Sequence, residues 1–346
     1  MDQIESRKDE HVRIALEKDI ASSVNYWDDV ILTHNALPEM NKEDIDLHIS
    51  FLEKKLHAPL VISAMTGGYS LAKEINERLA YVAADFQIAM GVGSQRAALK
   101  NSNLVDTYSI VKDFDIPLRI ANIGASQLVL WGHEKTIDYV NQMVDMIDAH
   151  AIAICLNFLQ EVIQYEGEAN AKGCLAEIQK LTDAIDIPVI VKESGAGISL
   201  SVAKKLNEVN ISSIDVGGLG GTSFAAIEHY RAKMHFDQRH SRVGKTFWNL
   251  GIPTPQSILN AGEGTNWEIP IISTGGIRHG LDAARGLSLG ADVIGIAYTL
   301  LKPATKSKQA TIDELDCIIK ELRAAMFLTG SDTVEKMKNA EVDIWN

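Results

Sequence analysis

The stretch ICLNFLQEVI at 154–163 runs apolar and then places Asn157, Gln160 and Glu161 within five residues. The two carboxamides there can donate to and accept from a held ligand. A buried strand entering a turn ordinarily ends in Gly, Ser or Asp, so this set suggests that something is held. Cys155, one step earlier, adds a thiol. Lys192 ends another apolar run, PVIVKESG. It is either a rim residue whose stem snorkels or a positive charge facing an anionic ring system such as a reduced flavin. Near the N-terminus, SRKDEHVRIALEK carries Arg7, Lys8 and His11. The three are a solvated helix face, or else Arg7 and Lys8 close over a diphosphate, Arg gripping in bidentate fashion and Lys acting as a point charge.

Such residues need elements to position them. Eight short Val- and Ile-rich runs recur: PLVISAMTGG from Pro59, QIAMGVGSQ from Gln87, LRIANIGAS from Leu118, AIAICLN from Ala151, PVIVKESG from Pro188, SIDVGGLGG from Ser213, PIISTGG from Pro270 and DVIGIA from Asp292. Their apolar character is continuous rather than alternating, as for strands buried on both faces of a parallel sheet. Eight such units with helical segments between them predict an α/β fold, a closed (β/α)8 TIM barrel. An open doubly wound sheet is the alternative, although no GxGxxG follows the first strand.

In a barrel the C-terminal strand ends and the loops after them form the site. In chain order they supply Thr66, Gly67 and Gly68; Ser94, Gln95 and Arg96; Asn122; Asn157, Gln160 and Glu161; Lys192; Gly217 and Thr222; Gly275, Gly276 and Arg278; and Ala297. STGGIRHG at 273–280 follows the seventh strand, where backbone N–H groups often bind phosphate. A plain βα turn is the bland reading of that motif. GGLGGTS at 217–223 is a second glycine-rich strand end, and the neighbouring pair favours a phosphate.

Length and composition bound the rest. The 346 residues suit one barrel domain spanning 1–346; 46% are hydrophobic and 23% charged, with 25 Gly and 8 Pro, as in an ordinary globular chain. A net charge of −13 without a basic run argues against nucleic acid or an anionic membrane surface as partner. Cys155, Cys174 and Cys317 form neither a CxxC pair nor a disulfide framework, which points to a reducing cytoplasm. No stretch is apolar enough to span a bilayer. A helix is expected over about 6–18, begun by Ser6 as cap with Asp9 three positions on. An insertion is expected after strand six, about 229–254, longer than an ordinary βα loop and able to order over a ligand. Glu228 and His229 read as a helix-surface pair.

Together these residues resemble the type 2 isopentenyl-diphosphate isomerases, FMN-dependent barrels. The likeness runs along nearly the whole chain through RKDEH (7–11), HNALPE (34–39), AMTGG (64–68), GSQRAAL (93–99), ANIGA (121–125), LNFLQE (156–161), VKESGAGIS (191–199), GGLGGTSFAAIE (217–228), WNLGIPT (248–254) and GGIRHGLDAARGLSLGAD (275–292). RKDEH, GSQR and LNFLQE in that order carry most of its specificity. The resemblance implies conversion of isopentenyl to dimethylallyl diphosphate by a 1,3-proton shift with no net redox change. It implies reduced FMN, with NAD(P)H or another reductant to prepare it, and Mg²⁺ on Glu161. Arg7, Lys8, Ser94, Gln95, Arg96, Asn157 and Gln160 would contact the prenyl diphosphate, with Gln160 at the reacting allylic system. Met65, Thr66, Gly67, Ser94, Asn122, Lys192, Gly217, Thr222, Gly275, Gly276, Arg278, Ala297 and Tyr298 would hold FMN. A homo-oligomer, tetramer or octamer, is also implied.

Four places depart from the family pattern. Cys155 stands where His is usual, YEGEANAKG at 165–173 replaces a Pro-Glu-Gly-Asp-Arg-Asp-Phe pattern, Phe224 replaces Trp, and WNLG at 248–251 lacks the usual Asp-Trp before Gly. Phe for Trp keeps an aromatic wall, whereas a neutral thiol cannot supply an imidazolium. The alternatives to an isomerase are an FMN-dependent paralogue with another substrate and a flavin-binding protein without turnover.

Overall fold

A computed structural model of the chain describes residues 3–344. The eight apolar runs become eight strands: β1 (Leu60–Ile62), β2 (Ala89–Gly91), β3 (Arg119–Gly124), β4 (Ala151–Cys155), β5 (Val189–Lys192), β6 (Ser213–Asp215), β7 (Ile271–Thr274) and β8 (Val293–Ile296). All neighbours pair in parallel and in chain order, and β8 returns to β1 through Ile294 opposite Leu60 and Ile296 opposite Ile62. The sheet therefore closes into a barrel, and the open doubly wound alternative falls.

The two-residue period of a strand sorts its side chains between two cores. Val61, Ile120, Ala153, Ile190, Ile272 and Val293 meet inside the barrel. Their chain neighbours Ile62, Ala121, Ile154, Val191, Ile271 and Ile294 pack outward beneath the helices. Two residues on from the inner set stand Ser63, Asn122, Cys155, Lys192, Thr274 and Gly295, all at the mouth. A β-carbon at Gly295 would lie 1.9 Å from Thr274 Oγ1, so this layer closes only with glycine there. At the opposite end an antiparallel hairpin, Ile49–Phe51 with Lys54–Leu56, feeds Phe51 and Leu56 into the inner core and plugs it. A second ladder joins Val30–Leu32 to Val342–Ile344 and ties the early chain to its last described residues.

Five helices bear on the mouth: α1 (Gln3–Glu17), α2 (Phe158–Ile163), α3 (Phe224–Met234), α4 (Gln238–Thr246) and α5 (Tyr298–Lys306). Helix α1 is already formed at Gln3, so Ser6 lies within it and does not cap it. The residues ahead of Ser6, Ile4 and Glu5, are compatible with helix and carry the turn forward. The stretch expected as a long open insertion, 229–254, is mostly helix. Asp237 starts α4 by accepting from the backbone N–H groups of Arg239 (3.1 Å) and His240 (3.0 Å). Helix α3 packs against α4, α1 and α2. That embedding overturns the surface reading of Glu228 and His229, which are only 2% and 6% exposed.

Candidate active site

A cavity of about 720 Å³ opens at the C-terminal mouth. The loops after β6, β7 and β8 form one side of it. Gly275 and Gly276 adopt φ of +120° and +71°, open to glycine and strained for other residues. Their carbonyls are turned into the protein: Trp27 Nε1 donates to Gly275 O at 2.9 Å, Thr254 Oγ1 to the same oxygen at 3.0 Å, and Asn25 Nδ2 to Gly276 O at 3.2 Å. The N–H groups of Gly221, Thr222, Gly276 and Ile277 donate to no protein acceptor among the described residues. The two loops touch so closely that a β-carbon on Gly221 would lie 2.6 Å from Gly276 N. Ala297 leads into α5, whose first N–H groups lie at the same wall. Such a cradle suits a phosphate.

Next to the cradle the wall turns polar at single atoms. Thr66 Oγ1 and Ser126 Oγ are buried and have no protein partner, which is costly unless a ligand atom meets them. Met65, Gly67 and Asn122 complete this side. Lys192, 7% exposed, donates from Nζ to Glu193 O at 2.6 Å and lies 3.7 Å from Asp215 Oδ2. Burial is the largest single influence and lowers the lysine, but the negative groups around it, Asp215 first, together outweigh it and hold the pKa above its ordinary value. Lys192 therefore presents a permanent positive charge under the cavity. Burial pushes the Cys155 thiol up, against the opposing pull of Lys192, so the group is a neutral thiol at pH 7. The volume, the glycine cradle, the unpartnered hydroxyls and the buried cation together fit an FMN.

Helix α2 delivers the amides and the carboxylate. Asn157 Nδ2 donates to Gln160 Oε1 at 3.3 Å and to Glu161 Oε1 at 3.2 Å. Gln160 Nε2 donates to Gln164 Oε1 at 3.4 Å, and Glu161 Oε2 accepts from Gln164 Nε2 (2.7 Å) and from the Glu168 backbone (2.8 Å). Gly167 makes the return possible, since a β-carbon there would strike Glu161 O at 1.8 Å. No group of three His, Cys, Asp or Glu able to hold a metal occurs among the described residues. Glu161 thus offers a single carboxylate, which suits an ion such as Mg²⁺ that takes most of its oxygens from water and phosphate.

Three cations converge opposite. Lys8 Nζ donates to Ser94 O at 2.6 Å and to Tyr108 Oη at 2.8 Å, and Tyr108 in turn donates to Ser94 O at 2.7 Å. Burial, then the nearby Arg7 charge, lowers the Lys8 pKa to about 7. Arg96 pairs with Glu168 at 2.5 Å and keeps a buried, unpartnered Nε. Arg7 reaches Glu166 only at 4.0 Å. Arg7, loosely held, and the free Nε of Arg96 are poised for an anion.

Most of the expected site residues, Gly217 and Tyr298 included, line this cavity. Two side chains do not serve as expected. Gln95 is wholly buried behind the wall: its Nε2 donates to Met143 O at 2.9 Å and its Oε1 accepts from Asn122 N at 3.2 Å. Its position one residue after Ser94 turns it away from the ligand side. Arg278 borders the cavity, but its guanidinium is committed to Asp28 at 2.7 Å and Asp282 at 2.8 Å. Sequence reasoning missed Tyr108, Ser126 and Asp215. Tyr108 gave no local signal, whereas Asp215 was legible in principle: it stands two residues past the inward-facing Ser213.

The closed barrel, the glycine cradle and the buried lysine define a class, the FMN-binding (β/α)8 enzymes. The profile of the FMN-dependent dehydrogenase family matches residues 157–344. In fold, the chain is similar to mandelate oxidase crystallised with (S)-2-phenylpropionate (TM-score 0.66, 14% identity, 98% of each chain). It is likewise similar to a sulfite-bound flavocytochrome b2 variant (TM-score 0.67, 14% identity, 96% of this chain and 82% of that one). Sequence relatives narrow the class. The isopentenyl-diphosphate delta-isomerase of Thermoplasma volcanium is 46% identical over 342 residues, 98% of this chain and 96% of that protein. That of Picrophilus torridus is 43% identical over 338 residues, 97% and 95% respectively. The chain belongs to the isopentenyl-diphosphate delta-isomerase family, in its FMN-dependent type 2 branch.

Proposed function

We propose that this chain moves the terminal double bond of isopentenyl diphosphate inward, giving dimethylallyl diphosphate by a 1,3-proton shift. The observation that carries the reading is one cavity holding a phosphate cradle and a buried lysine on one side, three cations on another, and Gln160 and Glu161 at the end of β4. In this reading Arg7, Lys8, Ser94 and Arg96 grip the diphosphate, and Glu161 would hold a Mg²⁺, which would supply positive charge to the diphosphate. Thr66, Asn122, Lys192, Thr222, Gly275, Gly276 and the N-terminus of α5 hold FMN, with NAD(P)H as its reductant. Reduced FMN, when bound, supplies acid–base chemistry to the allylic carbons.

The chain's own residues do the rest. Lys192, with its charge at the cavity, would favour negative charge on a flavin bound there. The Gln160 carboxamide, fixed between Asn157 and Gln164, is placed to accept and return a proton at its oxygen and nitrogen. Phe224 and Ile227 give the cavity an apolar wall that excludes water from a cationic species. Cys155 replaces the imidazole usual in the family, so diphosphate charge falls to Arg7, Lys8, Arg96 and Mg²⁺. A homo-oligomer is the proposed assembly.

The test is anaerobic incubation of the protein, loaded with reduced FMN, with isopentenyl diphosphate and Mg²⁺, run beside Cys155→His. Turnover by the parent supports the isomerase and shows an imidazole at 155 to be dispensable. No turnover by either protein, with flavin bound, would favour a paralogue acting on another substrate.

A further inference from the structure

Helix α1 brings Arg7 and Lys8 to the site; Ile14 and Ala15 are buried against the core, and Ile4, Val12 and Leu16 pack half-buried beside them. That apolar stripe seats the helix, and Lys8 ties it to Ser94 and Tyr108. A further set of ties lies outside the cavity. Arg231, 3% exposed on α3, uses all three guanidinium nitrogens on carboxylates from three separate pieces of chain. Its Nε lies 2.8 Å from Glu10 on α1, Nη1 3.0 Å from Glu228 on α3, and Nη2 2.5 Å from Glu166 in the turn after α2. Two further contacts tie α1 to the same knot: His11 Nε2 to Glu228 Oε1 at 2.8 Å, and His235 Nε2 to Glu10 Oε1 at 2.9 Å.

We propose that Arg231 is a positioning residue that holds α1, and with it Arg7 and Lys8, over the diphosphate end of the site. This rests on the function proposed above. Glu166 Oε1 is shared between Arg231 and Arg7, the latter at 4.0 Å. A diphosphate can therefore draw Arg7 away while Arg231 keeps Glu166 in place. Neither Arg231 nor Glu10 lines the cavity, so both act through α1 rather than on the ligand. Loosening the knot shifts two cations at once and leaves the flavin side, built on the barrel strands and the loops after them, untouched.

The variants are Arg231→Lys, which keeps the charge but loses the fork, and Glu10→Gln, which frees α1 while leaving Arg231 its other two partners. In the flavin-loaded protein, each is expected to raise KM for isopentenyl diphosphate at least about tenfold, corresponding to about 1.4 kcal/mol. The value of kcat should stay within about twofold and FMN affinity should not change. Affinity for inorganic pyrophosphate, measured by calorimetry with Mg²⁺ present, should weaken in parallel. An unchanged KM and pyrophosphate affinity in Glu10→Gln, or an equal loss of FMN binding, would overturn the proposal. Should the parent bind pyrophosphate but turn nothing over, the function proposed above fails. The pyrophosphate comparison then still decides whether Arg231 positions α1.

Discussion

Lys8 shows how much a single residue depends on its surroundings. It sits among Arg7, a tyrosine hydroxyl and a carbonyl oxygen, with no carboxylate against it, and burial brings its pKa to about 7. A lowered pKa means that the ammonium form is lost as pH rises through about 7. A diphosphate prefers the ammonium, so kcat/KM for isopentenyl diphosphate is expected to fall above that pH. Lys8→Arg, whose guanidinium does not titrate there, should flatten the profile even if it lowers the plateau; an unaltered fall would assign the titration to another group. At this scale the sequence was informative where residue type and strand end coincided, as at Gln160, Glu161 and Lys192. It misled where direction mattered. Gln95 is buried behind the wall that its neighbour Ser94 lines, and Arg278 is already paired with two carboxylates, one of them brought by the distant Asp28.

At the scale of elements, the loops after β6 and β7 work as a pair, each filling space that a side chain on the other would need. Gly276→Val would force a β-carbon to within 2.6 Å of Gly220 O at a φ of +71°. The expected outcome is protein that folds, by circular dichroism, but purifies without flavin colour and binds FMN at least about tenfold more weakly, the equivalent of 1.4 kcal/mol. Tight flavin binding in that variant would remove the cradle from the account. The eight strands were legible because burial on both faces leaves a continuous apolar signature. Helices α3 and α4 were not. Their charged sequence, HYRAKMHFDQRHSRVGK, reads as solvated, but ion pairs from α1 and the turn after α2 bury part of it. Those partners lie far away in the chain. Ser223 and Asp237, the caps of α3 and α4, were the local signs available.

For the whole molecule, the barrel separates stability from chemistry end to end. Phe51 and Leu56 seal the bottom, and the polar layer from Ser63 to Gly295 faces the top. Phe51→Ala is therefore expected to reduce unfolding free energy by roughly 3–5 kcal/mol in denaturant titration, with FMN affinity preserved at temperatures where the variant stays folded. A loss of flavin binding in the folded variant would show that the two ends are coupled. No helix among the described residues is long and apolar enough to cross a membrane. The chain's acidity also leaves the few cations at the mouth as the distinctive positive feature, which the composition anticipated and the cavity makes specific.

The central claim is a proton shift without net redox in this one cavity. The most direct measurement is NMR of isopentenyl diphosphate incubated anaerobically in D2O with Mg²⁺ and the protein loaded with reduced FMN, beside Gln160→Ala. The account predicts dimethylallyl diphosphate carrying solvent deuterium, formed on the order of a hundredfold more slowly or worse by the variant, with its flavin retained. An oxidised or reduced product, product without deuterium, or equal rates in the two proteins would contradict it.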